Sequence, residues 1–123
     1  MSNEVKIAEW LLNRNILVIR GKRGSGKTNL ARKIFQDLGI EPQMVASANG
    51  YEKWIASEGI VIDNAGKKEL KSPYIPAMTL GEFTARKAGS AEFKKYTPPR
   101  IIVTTNEMTI PGDIERRAVI IDL

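Results

Sequence analysis

The sequence predicts an α/β fold: a three-layer sandwich around a mostly parallel five-stranded sheet, with a basic β-hairpin inserted late in the chain. Three observations lead there. Four short apolar runs, at 16–19, 59–62, 100–104 and 118–121, and a candidate strand at 43–47 are separated by helical or mixed patterns, as when strands alternate with helices. The clearest runs, such as Ile16-Leu-Val-Ile19, are continuously apolar, which suits strands covered on both faces. Thirdly, a glycine-rich segment, Gly21-Lys-Arg-Gly-Ser-Gly-Lys-Thr28, joins the first run to a helical pattern.

Taken in order, residues 2–13 form an amphipathic helix, with Ser2 or Asn3 as its cap and Val5, Ala8, Leu11 and Leu12 as its apolar stripe. The first strand is Ile16–Ile19. A helix from Thr28 to Leu38 presents Leu30, Ala31, Ile34, Phe35 and Leu38, and Gly39 stops it. Gln43–Ser47 is a second strand, Tyr51–Ala56 a short helix and Gly59–Ile62 a third strand. Phe83–Lys87 and Glu92–Thr97 alternate as the arms of a hairpin, turning through Ala88-Gly-Ser-Ala91. Phe83 and Phe93 are expected to pack as cross-strand partners; with Tyr96 they could instead stack on bases. Strands Arg100–Thr104 and Ala118–Ile121 complete the sheet. Repeats, low-complexity tracts and linkers are absent, so residues 1–123 read as one domain.

Composition narrows the function classes. Hydrophobic content of 42% and charged content of 27% suit a water-soluble globular fold. The absence of cysteine excludes disulfides and thiolate metal sites, and the absence of histidine leaves Mg²⁺ as the one metal expected. No run reaches membrane-span length and residues 1–15 lack a signal-peptide core, so an intracellular protein with no membrane partner is expected. Nineteen basic against fourteen acidic residues give a net charge of +5, which suits an anionic partner.

The chemistry concentrates at 21–28. Glycines at 21, 24 and 26 permit positive φ, so that backbone N–H groups, with Arg23, Ser25 and Asn29 alongside, can wrap phosphate oxygens. The following helix directs its positive end at the same anion. Lys27 reaches β- and γ-phosphates, and the Thr28 hydroxyl suits Mg²⁺. The segment therefore reads as a site for a nucleoside triphosphate with Mg²⁺. Two strands end in polar residues where ligands bind in open α/β sheets. Ile60-Val-Ile-Asp63 places a carboxylate for Mg²⁺, and Thr104-Thr-Asn106 places an amide for the γ-phosphate or the attacking water. As plain turn residues, Asp63 and Asn106 would need no such role.

The hairpin carries Arg86, Lys87, Lys94 and Lys95, with Arg100 just beyond it, against Glu82 and Glu92. Such a patch suits a phosphate backbone, read without base specificity. Equally, it suits a solvated hairpin protected from aggregation by its charge.

These segments together resemble superfamily 3 helicases, replicative ATPases of small viruses and plasmids within the AAA+ P-loop NTPases. The residues that carry the resemblance are 21–28, Ile-Val-Ile-Asp-Asn at 60–64, Leu-Gly-Glu-Phe-Thr-Ala-Arg-Lys at 80–87, Pro-Arg-Ile-Ile-Val-Thr-Thr-Asn-Glu at 99–107 and Arg-Arg-Ala-Val-Ile-Ile at 116–121. The resemblance implies an ATP-driven motor on single-stranded DNA, working as a homo-oligomer, commonly a hexameric ring. It implies Lys87 as the leading DNA contact, supported by Arg86, Lys94 and Lys95. It also implies Arg116 or Arg117 as an arginine finger for a neighbouring subunit; an ion pair with Asp113 or Glu115 is the plainer reading of that pair.

Two departures from the family pattern stand out. Asn64 occupies the place of a second acid, and an amide cannot accept the proton there; Glu58, Glu107 and Asp63 are the possible substitutes. The chain also reads as a motor core alone, so that a nuclease or initiator activity and a helical lid would come from elsewhere. A small nucleotide kinase, a non-hydrolysing ATP-gated assembly protein and an AAA+ initiator or loader are the competing readings.

Overall fold

A computed structural model describes residues 2–13, 16–45, 57–77, 83–86, 93–96 and 98–123, the two segments 83–86 and 93–96 by their backbone. Its elements run α1 (Asn3–Asn13), β1 (Ile16–Arg20), α2 (Lys27–Asp37), β2 (Gln43–Val45), β3 (Gly59–Ala65), α3 (Lys67–Leu70), α4 (Tyr74–Ala77), β4 (Phe83–Arg86), β5 (Phe93–Tyr96), β6 (Arg100–Thr105), α5 (Gly112–Glu115) and β7 (Ala118–Asp122). The helix expected at 51–56, the end of the second strand at 46–47 and the hairpin turn at 88–91 lie outside the described residues.

Five strands form one sheet in the order β2-β3-β6-β1-β7, every pairing parallel. Strands β1, β3 and β6 are buried on both faces, which accounts for their unbroken apolar runs. Successive side chains alternate between two cores. Leu17, Ile19, Val61, Ile102, Val119 and Ile121 face Trp10 of α1 and Ala31, Ile34 and Phe35 of α2. Ile16, Val18, Ile60, Ile62, Ile101 and Val103 face Leu70, Ile75 and Ile114 of the short helices α3, α4 and α5. The three layers are thus α1 and α2, the sheet, and α3 to α5.

Helix α2 ends as the sequence indicates. Gly39 adopts φ 71°, its N–H bonds to the Gln36 carbonyl, and the Ile40 N–H bonds to that of Phe35. That paired arrangement satisfies two carbonyls of the last turn. In α1, Ser2 is the cap, accepting the Val5 N–H at 3.3 Å. The expected stripe on α1 is a correction. Val5 is 52% and Leu12 81% exposed, whereas Trp10 is fully buried and Ile7 and Leu11 pack beside it. Trp10 has the largest apolar surface on the helix, and it sets the rotation by meeting Phe35 edge-on at 5.9 Å.

The hairpin strands β4 and β5 pair antiparallel as a separate two-stranded sheet. The register matches Phe83 with Tyr96 and Arg86 with Phe93, so Phe83 and Phe93 are not the cross-strand pair expected. Arg100 does not belong to the hairpin cluster either. It opens β6, at the end of the sheet away from the glycine-rich loop, and its guanidinium lies 5.8 Å over the Trp10 ring.

Candidate functional site

The site is built at the carboxyl ends of β1, β3 and β6. From β1 the chain crosses through α2 on one face to β2. From β6 it crosses through α5 on the opposite face to β7. Neighbouring strands whose connections diverge in this way open a crevice between their ends, the usual place for a ligand in such sheets.

The loop after β1 fills that crevice. Gly24 and Gly26 adopt φ of 82° and 90°, a region costly for residues with a Cβ. Gly21 is different: its φ is not in that region, and its role is close approach. A Cβ there would lie 2.8 Å from the Leu123 carbonyl oxygen and 3.0 Å from Ser25 Oγ. Its N–H is committed to the Thr105 carbonyl at 3.1 Å, and the Ser25 N–H to that of Lys22 at 3.1 Å. Gly21 and Ser25 therefore shape the loop, while the first turn of α2 keeps N–H groups with no acceptor within the helix. Lys27 is 7% exposed and folds back along the loop, its Nζ donating to the Lys22 carbonyl at 2.8 Å and towards Ser25 Oγ at 3.4 Å.

A β-bulge places the carboxylate. The register of β3 on β6 shifts between Ile62 and Ala65, and Asn64 sits at φ 54°, a left-handed conformation that asparagine tolerates. Asp63 Oδ1 accepts hydrogen bonds from Thr28 Oγ1 at 2.7 Å and Thr104 Oγ1 at 2.9 Å. Oδ2 accepts none among the described residues. Thr104, only 1% exposed, also accepts the Asn64 N–H at 2.8 Å, so one hydroxyl holds both the carboxylate and the bulge. Sequence reading named Thr104 only as part of a strand end. Its hydroxyl aimed at Asp63 depends on strand order, which no local pattern carries. Next along β6, Thr105 Oγ1 donates to the Ala65 carbonyl at 2.6 Å and accepts the Glu107 N–H at 3.0 Å, which fixes the turn bearing Asn106.

Arg23, Gly24, Gly26, Lys27, Thr28, Asn29, Asp63, Asn64, Thr104 and Asn106 line one cavity of about 570 Å³. That volume suits a nucleotide-sized ligand. Its hard oxygen donors, the Thr28 hydroxyl and the Asp63 carboxylate, share one hydrogen bond and suit Mg²⁺.

Other expected residues lie elsewhere. Glu58 precedes β3 at the opposite end of the sheet, its carbonyl bonded to the Arg100 N–H, so it cannot serve as a base at this cavity. Glu107 lines an adjoining cavity instead. Arg116 is exposed and ion-paired with Asp113, and Arg117 Nη1 points to the Asp113 carbonyl at 3.4 Å; neither lines the cavity of its own chain. Lys87 lies outside the described residues, and Arg86, Lys94 and Lys95 are placed by their backbone alone in β4 and β5.

Arg20, the last residue of β1, ties the site to its surroundings. It pairs with Asp122 of β7 through Nε at 2.5 Å and donates from Nη1 to the Met108 carbonyl at 2.8 Å. The bond to Arg20 holds the Asp122 carboxyl below its ordinary pKa, and the guanidinium's own pKa is raised, again chiefly by that bond.

Solved structures share this fold. A structure of JCV helicase matches 97% of the chain with a TM-score of 0.68 at 19% identity, and a second one matches with 0.63 at 19%. NtrX from Brucella abortus, in complex with ADP, matches 97% with a TM-score of 0.57 at 15% identity. The chain has the P-loop NTPase fold of the AAA+ type. The expected likeness to superfamily 3 helicases thus holds as a likeness of fold. This chain spans 40%, 37% and 34% of those three chains. No protein-family model matches the sequence, and no curated protein does. No described helix is long and apolar enough to cross a membrane.

Proposed function

We propose that this chain is the ATPase core of a superfamily 3-type helicase or single-stranded DNA translocase, using ATP with Mg²⁺. The observation that carries the reading is the convergence of Lys27, Thr28, Asp63, Thr104 and Asn106 on one cavity at the divergence of β1 and β6. The basic hairpin directly before β6 supports the DNA part.

In this reading the N–H groups of Gly24, Gly26, Lys27 and Thr28 cradle the β- and γ-phosphates, and Lys27 Nζ leaves the Lys22 carbonyl to contact them. Thr28 and Asp63 would hold Mg²⁺, which neutralises charge on the phosphate oxygens. Asn106 orients the attacking water or the γ-phosphate from the end of β6. Asn64 cannot take the proton from that water, and its N–H is already given to Thr104. Asp63 and Glu107 are the acids left near the site, and turnover is accordingly slow. Arg116 or Arg117 completes a neighbouring copy's site in a homo-oligomer, a hexameric ring when active; exposure of the Arg116–Asp113 pair leaves Arg116 free to exchange partners. A separate nuclease or initiator would supply origin recognition, inside the host cell.

The experiment is ATP turnover with and without single-stranded DNA, for the natural chain, Lys27→Ala and Lys87→Ala. DNA-stimulated turnover abolished in both variants supports a DNA motor. ATP binding without turnover in either condition would replace it with a nucleotide-gated assembly protein. Phosphate transfer to a nucleotide would make the chain a kinase.

A further inference from the structure

Beside the phosphate cavity lies a second one, of about 770 Å³, and the two share a wall at Asn106. It is lined by Lys67, Leu70 and Lys71 from α3 and its end, and by Glu107, Met108, Thr109 and Pro111 from the loop after β6. Leu70 is 2% exposed and forms a floor, while Met108 is 61% exposed although it is a large apolar side chain. Lys67 and Lys71, four residues apart, lie on one side of the helical turn, and both are exposed.

The lining selects a chemistry. Leu70, Met108 and Pro111 offer an apolar bed for a flat group, and methionine adapts its shape to such groups. Asn106, Thr109 and Glu107 can hydrogen-bond a polar edge, donating and accepting. The two ammonium groups match phosphates on either side of that flat group. A bare polyphosphate fits poorly, because Glu107 would repel it and the apolar bed would be wasted. A purely apolar ligand would leave the lysines and Glu107 idle. A nucleotide unit with flanking phosphates uses all of these, and it complements the chain's net charge of +5.

We propose that this cavity holds one nucleotide of a single strand, its base on Leu70, Met108 and Pro111 and its flanking phosphates on Lys67 and Lys71. The inference rests on the proposed DNA function and adds a contact outside the hairpin. Because Asn106 borders both cavities, the strand lies one side chain from the γ-phosphate position. Strand occupancy then bears directly on the residue that orients the attacked phosphate, without a signal relayed from the hairpin.

The test is binding of fluorescein-labelled oligothymidylate, followed by anisotropy across a salt series, for the natural chain and Lys67→Gln/Lys71→Gln. Both lysines are exposed, so the fold is expected to persist, checked by an unchanged melting temperature and unchanged ADP affinity. Loss of two phosphate contacts lowers the slope of log K against log salt by about 1.4 and weakens binding at low salt about tenfold. Photocrosslinking of a halogenated strand should mark the peptide containing Met108. An unchanged slope with normal strand binding overturns this site and leaves the proposed function standing. Binding of ATP but of no strand at all overturns the DNA reading and this site together. Displacement of the strand by an equal concentration of free thymidine monophosphate would assign the cavity to a small nucleotide and overturn the strand contact.

Discussion

Replacing Thr104 by valine removes one hydroxyl and little volume, and the structure says what that hydroxyl does. It donates to Asp63 Oδ1 at 2.9 Å and accepts the Asn64 N–H at 2.8 Å, from a position 1% exposed. A hydrogen bond to a charged acceptor contributes about 1.5–3 kcal/mol. The Asn64 N–H lies at an exposed residue, so water offsets much of its loss. Together these predict a loss of about 2 kcal/mol, or roughly 6–10 °C in melting temperature for a domain of this size. Asp63 would keep only the Thr28 bond, and the bulge would lose its pin. In the proposed function Asp63 holds Mg²⁺, and displaced supports around such a carboxylate cost about 10- to 100-fold in activity. Nucleotide affinity should change little, since the loop at 21–28 is untouched. The assay pairs thermal unfolding with steady-state ATP turnover and ADP titration, using Thr104→Ser as the control that restores the hydroxyl. Turnover in Thr104→Val equal to the natural chain, or a loss just as large in Thr104→Ser, would refute the reasoning.

Asp122→Asn should lower stability at neutral pH by no more than about 1 kcal/mol, because the pair with Arg20 is partly exposed and screened. Asp122 has its carboxyl pKa lowered by Arg20, so its contribution is present above the unfolded value and disappears as pH falls through the folded one; denaturant midpoints of natural and variant chains should converge as pH falls below the ordinary carboxylate range. Gly59→Ala would place a Cβ 2.6 Å from Phe35 Cε1 and 3.0 Å from Ile40 Cγ2, so a loss of about 1–3 kcal/mol is expected in chemical denaturation. Trp10 Nε1 is buried with no hydrogen-bond partner among the described residues. Trp10→Phe should therefore cost about 1 kcal/mol or less, against about 3–5 kcal/mol for Trp10→Ala, measured the same way.

Several parts of the molecule were readable along the chain because they depend on neighbours in sequence. The loop at 21–28 needs its glycines, lysine and threonine at fixed spacing, and the stop of α2 at Gly39 depends on one residue's access to positive φ. Strands β1, β3 and β6 lie where continuous apolar runs place them, since burial on both faces leaves that trace; β2, with no buried residue, leaves a much weaker one. The rotation of α1 is not legible in the sequence, because Val5, Ala8, Leu11 and Leu12 make one plausible stripe, while Trp10 selects another by meeting Phe35, a partner distant in the chain. Arg100 is near the hairpin in sequence, yet it belongs to the first position of β6 and lies over Trp10.

By itself the sequence determined the α/β class, the main strands and the turning points of the glycine-rich loop, because backbone conformation and burial periodicity are local properties. Only the tertiary structure decided which polar strand ends meet. Asp63 reaches Thr28 and Thr104 because β6 lies between β3 and β1 and a bulge re-aims the end of β3; Glu58 is removed from the site by standing at the other end of the same strand. Strand order and register arise from the summed packing of two cores across the sheet, and no short window of sequence contains that sum.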